Sequence, residues 1–280
     1  MSCARSPATW SRGAQCAARA GSGRPSAATG ATAAPPNRDR LLTDTVHEPR
    51  TDAVASANPG HRWSAPPGGH RHTVPRYDAV LFDLLSALLD SWSLWDDVAG
   101  DEATGRRWRH RYLAITYATG AYVPYEDLVA RAAADEGLDP GLPGELVRRW
   151  DELAPWPEAP GVVAALAEHA RVGVVTNCSV PLGRRAAARV GVPFDVVVTA
   201  EEAGAYKPRP TAYLRAADEL GLAPDRVLFV AGSRYDLAGA AGAGLDVWWH
   251  NRVGLDGDPD HPPVAEHPTL DVLPGFLTSG

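Results

Sequence analysis

Val80-Leu81-Phe82-Asp83-Leu84-Leu85-Ser86-Ala87-Leu88-Leu89-Asp90 carries the first decisive signal of fold. Ala79–Phe82 is a short apolar run that stops at Asp83, as a strand buried on both faces does. An acid at the end of such a strand holds its carboxylate in a cleft, in position to act as a nucleophile. The same placement also suits an aspartate that merely caps the next turn, and the stretch alone leaves both readings open.

Moving outward, four more apolar runs have the same form: Val172–Val175, Val196–Thr199, Val227–Val230 and Leu245–Trp249. Ala- and Leu-rich helical stretches fall between or beside them, at Gly161–His169, Leu182–Val190, Thr211–Leu220 and Leu237–Ala243. Strands alternating with helices predict an α/β fold, a doubly wound parallel sheet with right-handed crossovers. The segment between the first and second strands is too long for one crossover. Amphipathic patterns around Trp95–Val98, Gly105–Tyr117, Tyr125–Glu136 and Leu142–Leu153 predict that residues 90–158 form an inserted α-helical cap. Residues 77–89 and 159–280 then make the core.

Residues 1–76 are of another kind. They hold ten arginines, no lysine and four acids, a formal charge of +6, and no sustained apolar period. They read as a disordered low-complexity extension. An organelle transit peptide and an upstream start codon in a GC-rich gene are the alternatives. His61, His70 and His72 there read as solvated. No apolar stretch approaches the roughly 20 residues of a spanning helix, and no secretory apolar segment follows the first basic residues. The full chain of 280 residues has a net charge of −7, against a nucleic-acid binder of the usual basic kind. Three cysteines, Cys3, Cys16 and Cys178, make no disulfide framework, so a cytoplasmic, reducing setting is expected. Cys178 reads as a small packing residue, and His250 as an acid–base candidate or a satisfied core histidine.

Lys207 is the only lysine beside 26 arginines. A lysine that survives such a bias marks a place that needs a compact ammonium instead of a planar guanidinium. Chance is the plain alternative. Its setting, Gly204-Ala205-Tyr206-Lys207-Pro208-Arg209-Pro210, lies after a strand and before a helix, at the same sheet edge as Asp83.

The order Asp83, Thr176-Asn177, Lys207-Pro208, Asp236 resembles the four motifs of the haloacid dehalogenase superfamily of hydrolases, across residues 77–277. The resemblance implies a Rossmann-like core with an aspartate nucleophile under a cap. The superfamily's Mg-dependent phosphatases carry a second Asp two residues after the nucleophile, where this chain has Leu85. They carry a Gly-Asp before the last motif, where it has Gly232. The pattern is therefore similar to the metal-free 2-haloacid dehalogenases, with no cofactor and no metal ligand. Trp108-Arg109 matches their cap Trp-Arg pair, Tyr213 their Lys–Tyr spacing, and Asn251-Arg252-Val253-Gly254 their Asn-Arg-x-Gly segment.

The roles implied by this resemblance are specific. Asp83 displaces halide and forms an ester, Lys207 keeps it ionised, and Arg109 receives the halide. Asp236 orients Lys207 or the hydrolytic water. Leu84, Leu85, Thr176, Asn177, Tyr213 and Ser233 are expected at the substrate, a small halogenated carboxylic acid. Of the cap tryptophans Trp92, Trp95, Trp108, Trp150 and Trp156, one or two are expected to line the site. Two departures stand out: Ala87 replaces the usual Thr four residues after the nucleophile, and Ala231 and Ser233 replace two polar side chains near the fourth motif. A phosphatase or other hydrolase using Asp83, and a non-catalytic binding protein, are the alternatives. Neither nucleic acid nor membrane is an expected partner, and a homodimer is left open.

Overall fold

The computed structural model describes residues 76–278. Apart from Arg76, the expectations for the N-terminal extension, its histidines and Cys3 and Cys16 lie outside those residues. In chain order the strands are β1 (Ala79–Phe82), β2 (Leu89–Asp90), β3 (Ala154–Pro155), β4 (Arg171–Thr176), β5 (Val196–Thr199), β6 (Val227–Ala231), β7 (Asp246–His250) and β8 (Ala265–His267). The helices are α1 (Ser91–Ala99), α2 (Glu102–Ala118), α3 (Tyr125–Asp135), α4 (Leu142–Arg148), α5 (Ala159–Ala167), α6 (Val180–Arg189), α7 (Ala200–Ala203), α8 (Pro210–Leu220), α9 (Arg234–Gly242) and α10 (Leu273–Thr278).

Six strands form one parallel sheet in the order β5-β4-β1-β6-β7-β8. Successive residues of β1 serve opposite faces. Val80 and Phe82 pack with Val172, Leu228, Leu182, Leu166 and the cap, while Ala79 and Leu81 pack with Val198, Phe229 and residues of α8 and α9. Helices thus cover both faces, which is why the strands are apolar throughout. The strand order reverses at β1, and the crevice beyond the carboxyl ends of the strands there is where such sheets bind ligands.

The chain leaves the core at β2 and returns at β3, and these two short strands pair antiparallel. Helices α1 to α4 lie between them. Two have aspartate caps that satisfy otherwise unpaired first-turn amides. Asp90 accepts from Ser93 N at 3.2 Å, and Asp101 from Thr104 N at 2.9 Å. Inside the cap, Trp95, Trp108, Tyr112, Tyr125 and Trp150 form a chain of ring contacts 4.6–5.8 Å apart. The indole of Trp150 ends that chain on the core, donating to Leu182 O at 2.9 Å.

The sequence reading differs from the structure in places. The expected helix over Leu142–Leu153 is broken: α4 stops at Arg148, and a 3-10 turn at Trp150–Glu152 seats the buried Trp150. Strand β8 is a sixth strand that the apolar runs do not signal. Its three residues Ala265-Glu266-His267 are only partly buried, as an edge strand permits.

Candidate active site

Asp83 follows β1 directly, its amide donating to Val230 O at 2.9 Å, so the carboxylate stands at the mouth of the strand-order reversal. The turn after it folds back onto the side chain. Oδ2 accepts from Ser86 N at 2.9 Å, Ser86 Oγ at 2.7 Å and Ala87 N at 3.2 Å. Oδ1 accepts from Lys207 Nζ at 2.7 Å. The hydroxyl expected at position 87 is thus supplied one residue earlier, by Ser86. Trp156 closes the turn from outside, its indole donating to Ser86 O at 3.1 Å.

Lys207 reaches this point from the loop between α7 and α8. Asn177, just past β4, ties that loop down. Its Oδ1 accepts from Lys207 N at 2.7 Å, and its Nδ2 donates to Lys207 O at 3.1 Å. The ammonium then lies between two acids, 2.7 Å from Asp83 Oδ1 and 3.1 Å from Asp236 Oδ1. Tyr213 from α8 donates to Asp236 Oδ1 at 2.6 Å. Gly239 makes this close approach of α9 feasible, because a Cβ there would lie 2.6 Å from Pro208 O and 2.8 Å from the Tyr213 hydroxyl.

Charge follows from the geometry. Burial raises the Asp83 carboxyl, but Lys207 and the Ser86 donors outweigh it and hold the group below the ordinary carboxylate value. Burial works against the Lys207 ammonium, and the two acids more than offset it, so its pKa is raised. Asp236 is pushed up, chiefly by burial and also by Asp83, despite the lysine. Of two carboxylates sharing one cation, Asp83 is the firm anion and Asp236 the stronger base.

A cavity of about 270 Å³ opens on this cluster. Its walls include Asp83, Leu85, Asn177, Lys207, Ser233 and Asp236 from the core, with Trp92, Trp95, Arg109 and Tyr117 from the cap. Arg109 is 5% exposed, and its Nη1 finds no hydrogen-bond partner. The guanidinium stacks on Trp92 at 3.8 Å from the ring centroid. Burial pulls its pKa down, but arginine starts so high that it stays charged. A buried cation with no ion-pair partner among the described residues, in the same cavity as a buried carboxylate, is a prepared seat for an anion.

Three expected substrate contacts do not line this cavity. Leu84 points into the hydrophobic core beneath the sheet edge. Thr176 is buried, with Oγ1 3.3 Å from Cys178 Sγ. Tyr213 sits behind Asp236 and acts on it, as its hydrogen bond describes. Asn177 reaches the cavity, yet both ends of its amide are engaged by the Lys207 backbone. His250 is held by its Nδ1 contact to Ala87 O at 2.8 Å and by Arg252 Nε at 3.3 Å from Nε2, away from the cavity. Burial pushes the Cys178 thiol up to about 12, and it packs inside the core. Trp92 and Trp95 are the cap tryptophans at the cavity wall.

The sequence reading missed Tyr117, Leu113 and His110, which line the cavity with Arg109. A signal existed, since Arg109, Leu113 and Tyr117 recur at every fourth residue and share one face of α2.

At Leu85 and Gly232, where the resemblance places two acids of the Mg-dependent phosphatases, this chain has no carboxylate. A Cβ at Gly232 would lie 2.3 Å from Ala87 N and 2.6 Å from Ser86 Oγ, so no acid fits there. Leu85 offers no oxygen, and the Lys207 ammonium already lies between the two carboxylates. Among the described residues, no group of three or more His, Cys, Asp or Glu is arranged to hold a metal ion.

Residues 77–244 match the haloacid dehalogenase-like hydrolase family. Haloacetate dehalogenase H-2 of Moraxella sp. (strain B) is 28% identical over 223 residues, covering 71% of this chain and 97% of that protein. The L-2-haloacid dehalogenase structure from Xanthobacter autotrophicus superposes with a TM-score of 0.66 at 22% identity. It covers 71% of this chain and 98% of that one, a likeness of fold. Hexitol phosphatase A of Escherichia coli (strain K12) is 36% identical over 93 residues, which is 31% of this chain and 43% of that protein.

Proposed function

This chain belongs to the haloacid dehalogenase-like hydrolases, and we propose that within them it is a metal-independent 2-haloacid dehalogenase working through an ester on Asp83. The observation that carries the reading is Arg109, a buried guanidinium with an unpartnered Nη1 in the cavity that Asp83 also lines. A phosphoryl group would call for a metal clamp that Gly232 and Leu85 do not supply. A departing halide calls for a single cation, and Arg109 is that cation.

The chemistry then runs in two steps. Asp83 Oδ1, which carries only the Lys207 donor, attacks C2 of the acid. The new O–C bond forms as the carbon–halogen bond breaks, and the halide leaves with the bonding pair beside Arg109. Water next attacks the aspartyl carbonyl carbon, giving its proton to Asp236. Oδ2 takes up the negative charge against the three donors from Ser86 and Ala87, a ready-made oxyanion site. Collapse, with Asp236 returning that proton to the departing Oδ1, releases a 2-hydroxy acid that contains the former Oδ1. Asp83, now with an oxygen from water, loses the second water proton to solvent and is a carboxylate again.

Halide release from each enantiomer of 2-chloropropionate, with and without excess chelator, tests this reading. Turnover unaffected by chelator is expected. Phosphate release from sugar phosphates that requires added Mg²⁺, with no halide release, would replace it by the phosphatase.

A further inference from the structure

Six large apolar side chains stand exposed among the described residues: Val123, Tyr235, Val253, Leu255, Val264 and Val272. Three of them, Tyr235, Val253 and Leu255, line the cavity that holds Asp83. Exposed aliphatic surface gathered at one cavity wall marks a place that an apolar group covers. Val253 and Leu255 belong to the loop after β7. Asn251 pins that loop, its side chain bonded to Leu255 N at 2.8 Å and to Leu255 O at 2.9 Å.

The same two residues face a second cavity of about 250 Å³. Trp92 and His110 are also common to both cavities, so the two chambers meet across a shared wall from cap and core. Past that wall lie Trp156, Ser93, Asp90, Asp96 and Arg106. A haloacid of two or three carbons fits the first chamber alone and leaves these aliphatic side chains in water.

Building on the dehalogenase reading, we propose that the two chambers are one substrate site for 2-haloacids bearing an apolar C2 substituent of four or more carbons. The carboxylate and halogen lie in the first chamber. The substituent passes Trp92, Val253 and Leu255 into the second. Each methylene that leaves water against these residues raises kcat/KM by about fourfold, the partition value of one buried CH₂.

The test compares 2-bromopropionate, 2-bromobutyrate and 2-bromohexanoate. A kcat/KM that rises along the series is expected, and a flat or falling series overturns the proposal. Ser93→Trp, which adds bulk at the exposed lip of the second chamber, should drive the ratio for 2-bromohexanoate over 2-bromopropionate toward one. The ratio cancels any general loss from poor folding. Leu255→Asn, at an exposed position, should lower it too, and an unchanged ratio in both variants overturns the proposal. If no acid releases halide, the reaction assignment fails by itself. Tryptophan fluorescence then decides the subsite with unhalogenated acids. Hexanoate bound at least tenfold more tightly than propionate supports it, and equal affinity overturns it.

Discussion

The Lys207 ammonium donates to Asp83 Oδ1 at 2.7 Å, and the two side chains are 3% and 10% exposed. At that depth neither charge has water to fall back on. Lys207→Arg keeps the charge but brings a planar group into a space shaped for one ammonium. Halide release should drop by about 100-fold, since an ångström of misplacement costs that much. Lys207→Ala should also destabilise the fold by about 3–5 kcal/mol, because it leaves two acids facing one another unpaired. Steady-state kinetics and thermal melts check both.

Arg109 presents the opposite case, a buried cation kept at a cost to stability. Arg109→Leu should raise the melting temperature, because the lost guanidinium has an unsatisfied nitrogen and no ion-pair partner among the described residues. The same change should lower halide release by roughly 10²–10³, the usual loss for one charge-stabilising donor. Calorimetry and halide release on the same preparation separate the two effects.

Gly232→Asp introduces a carboxylate where the resemblance to Mg-dependent phosphatases implies one. The new Cβ would meet Ala87 N and Ser86 Oγ, so the Asp83 turn must shift. A stability loss of roughly 1–3 kcal/mol is expected, together with loss of dehalogenation. Added Mg²⁺ should restore neither.

The pH profile has a defined sign. Asp83 ionises below the ordinary value of 3.8, because Lys207 and the Ser86 donors outweigh its burial. Asp236 must be ionised to accept the proton, and its pKa lies above 3.8. Activity is therefore lost as pH falls through the Asp236 value, and the acid limb belongs to that residue. The Tyr213 hydrogen bond lowers the Asp236 pKa, so Tyr213→Phe should move the acid limb to higher pH. The dependence of kcat on pH for the two proteins reads this shift directly.

The strands that build the sheet centre were legible because burial on both faces forces an unbroken apolar run, as at Val227–Val230. The edge strand Ala265–His267 was not, since its pairing to β7 is made by backbone and its side chains follow no apolar rule. Asp83 and Lys207 carried signals of their own, Asp236 and Arg109 were implied by the family resemblance, and the structure brings the first three into hydrogen-bond contact and Arg109 to the same cavity. That Leu84, Thr176 and Tyr213 do not line the cavity has one cause. Sequence places a residue near a strand end, but the side chain's direction there decides whether it faces core, neighbour or cavity. Tyr117, His110 and Leu255 escaped for a related reason, as the cavity wall exists only where the cap meets the core.

The central claim is that Asp83 becomes an ester. A single turnover in ¹⁸O water with enzyme in excess, followed by mass spectrometry of the peptide containing Asp83 and of the hydroxy acid, tests it most directly. Label in the Asp83 carboxylate, with unlabelled product, is the predicted result. Label in the product with none in that peptide would mean that water attacks the substrate itself, and would contradict the account.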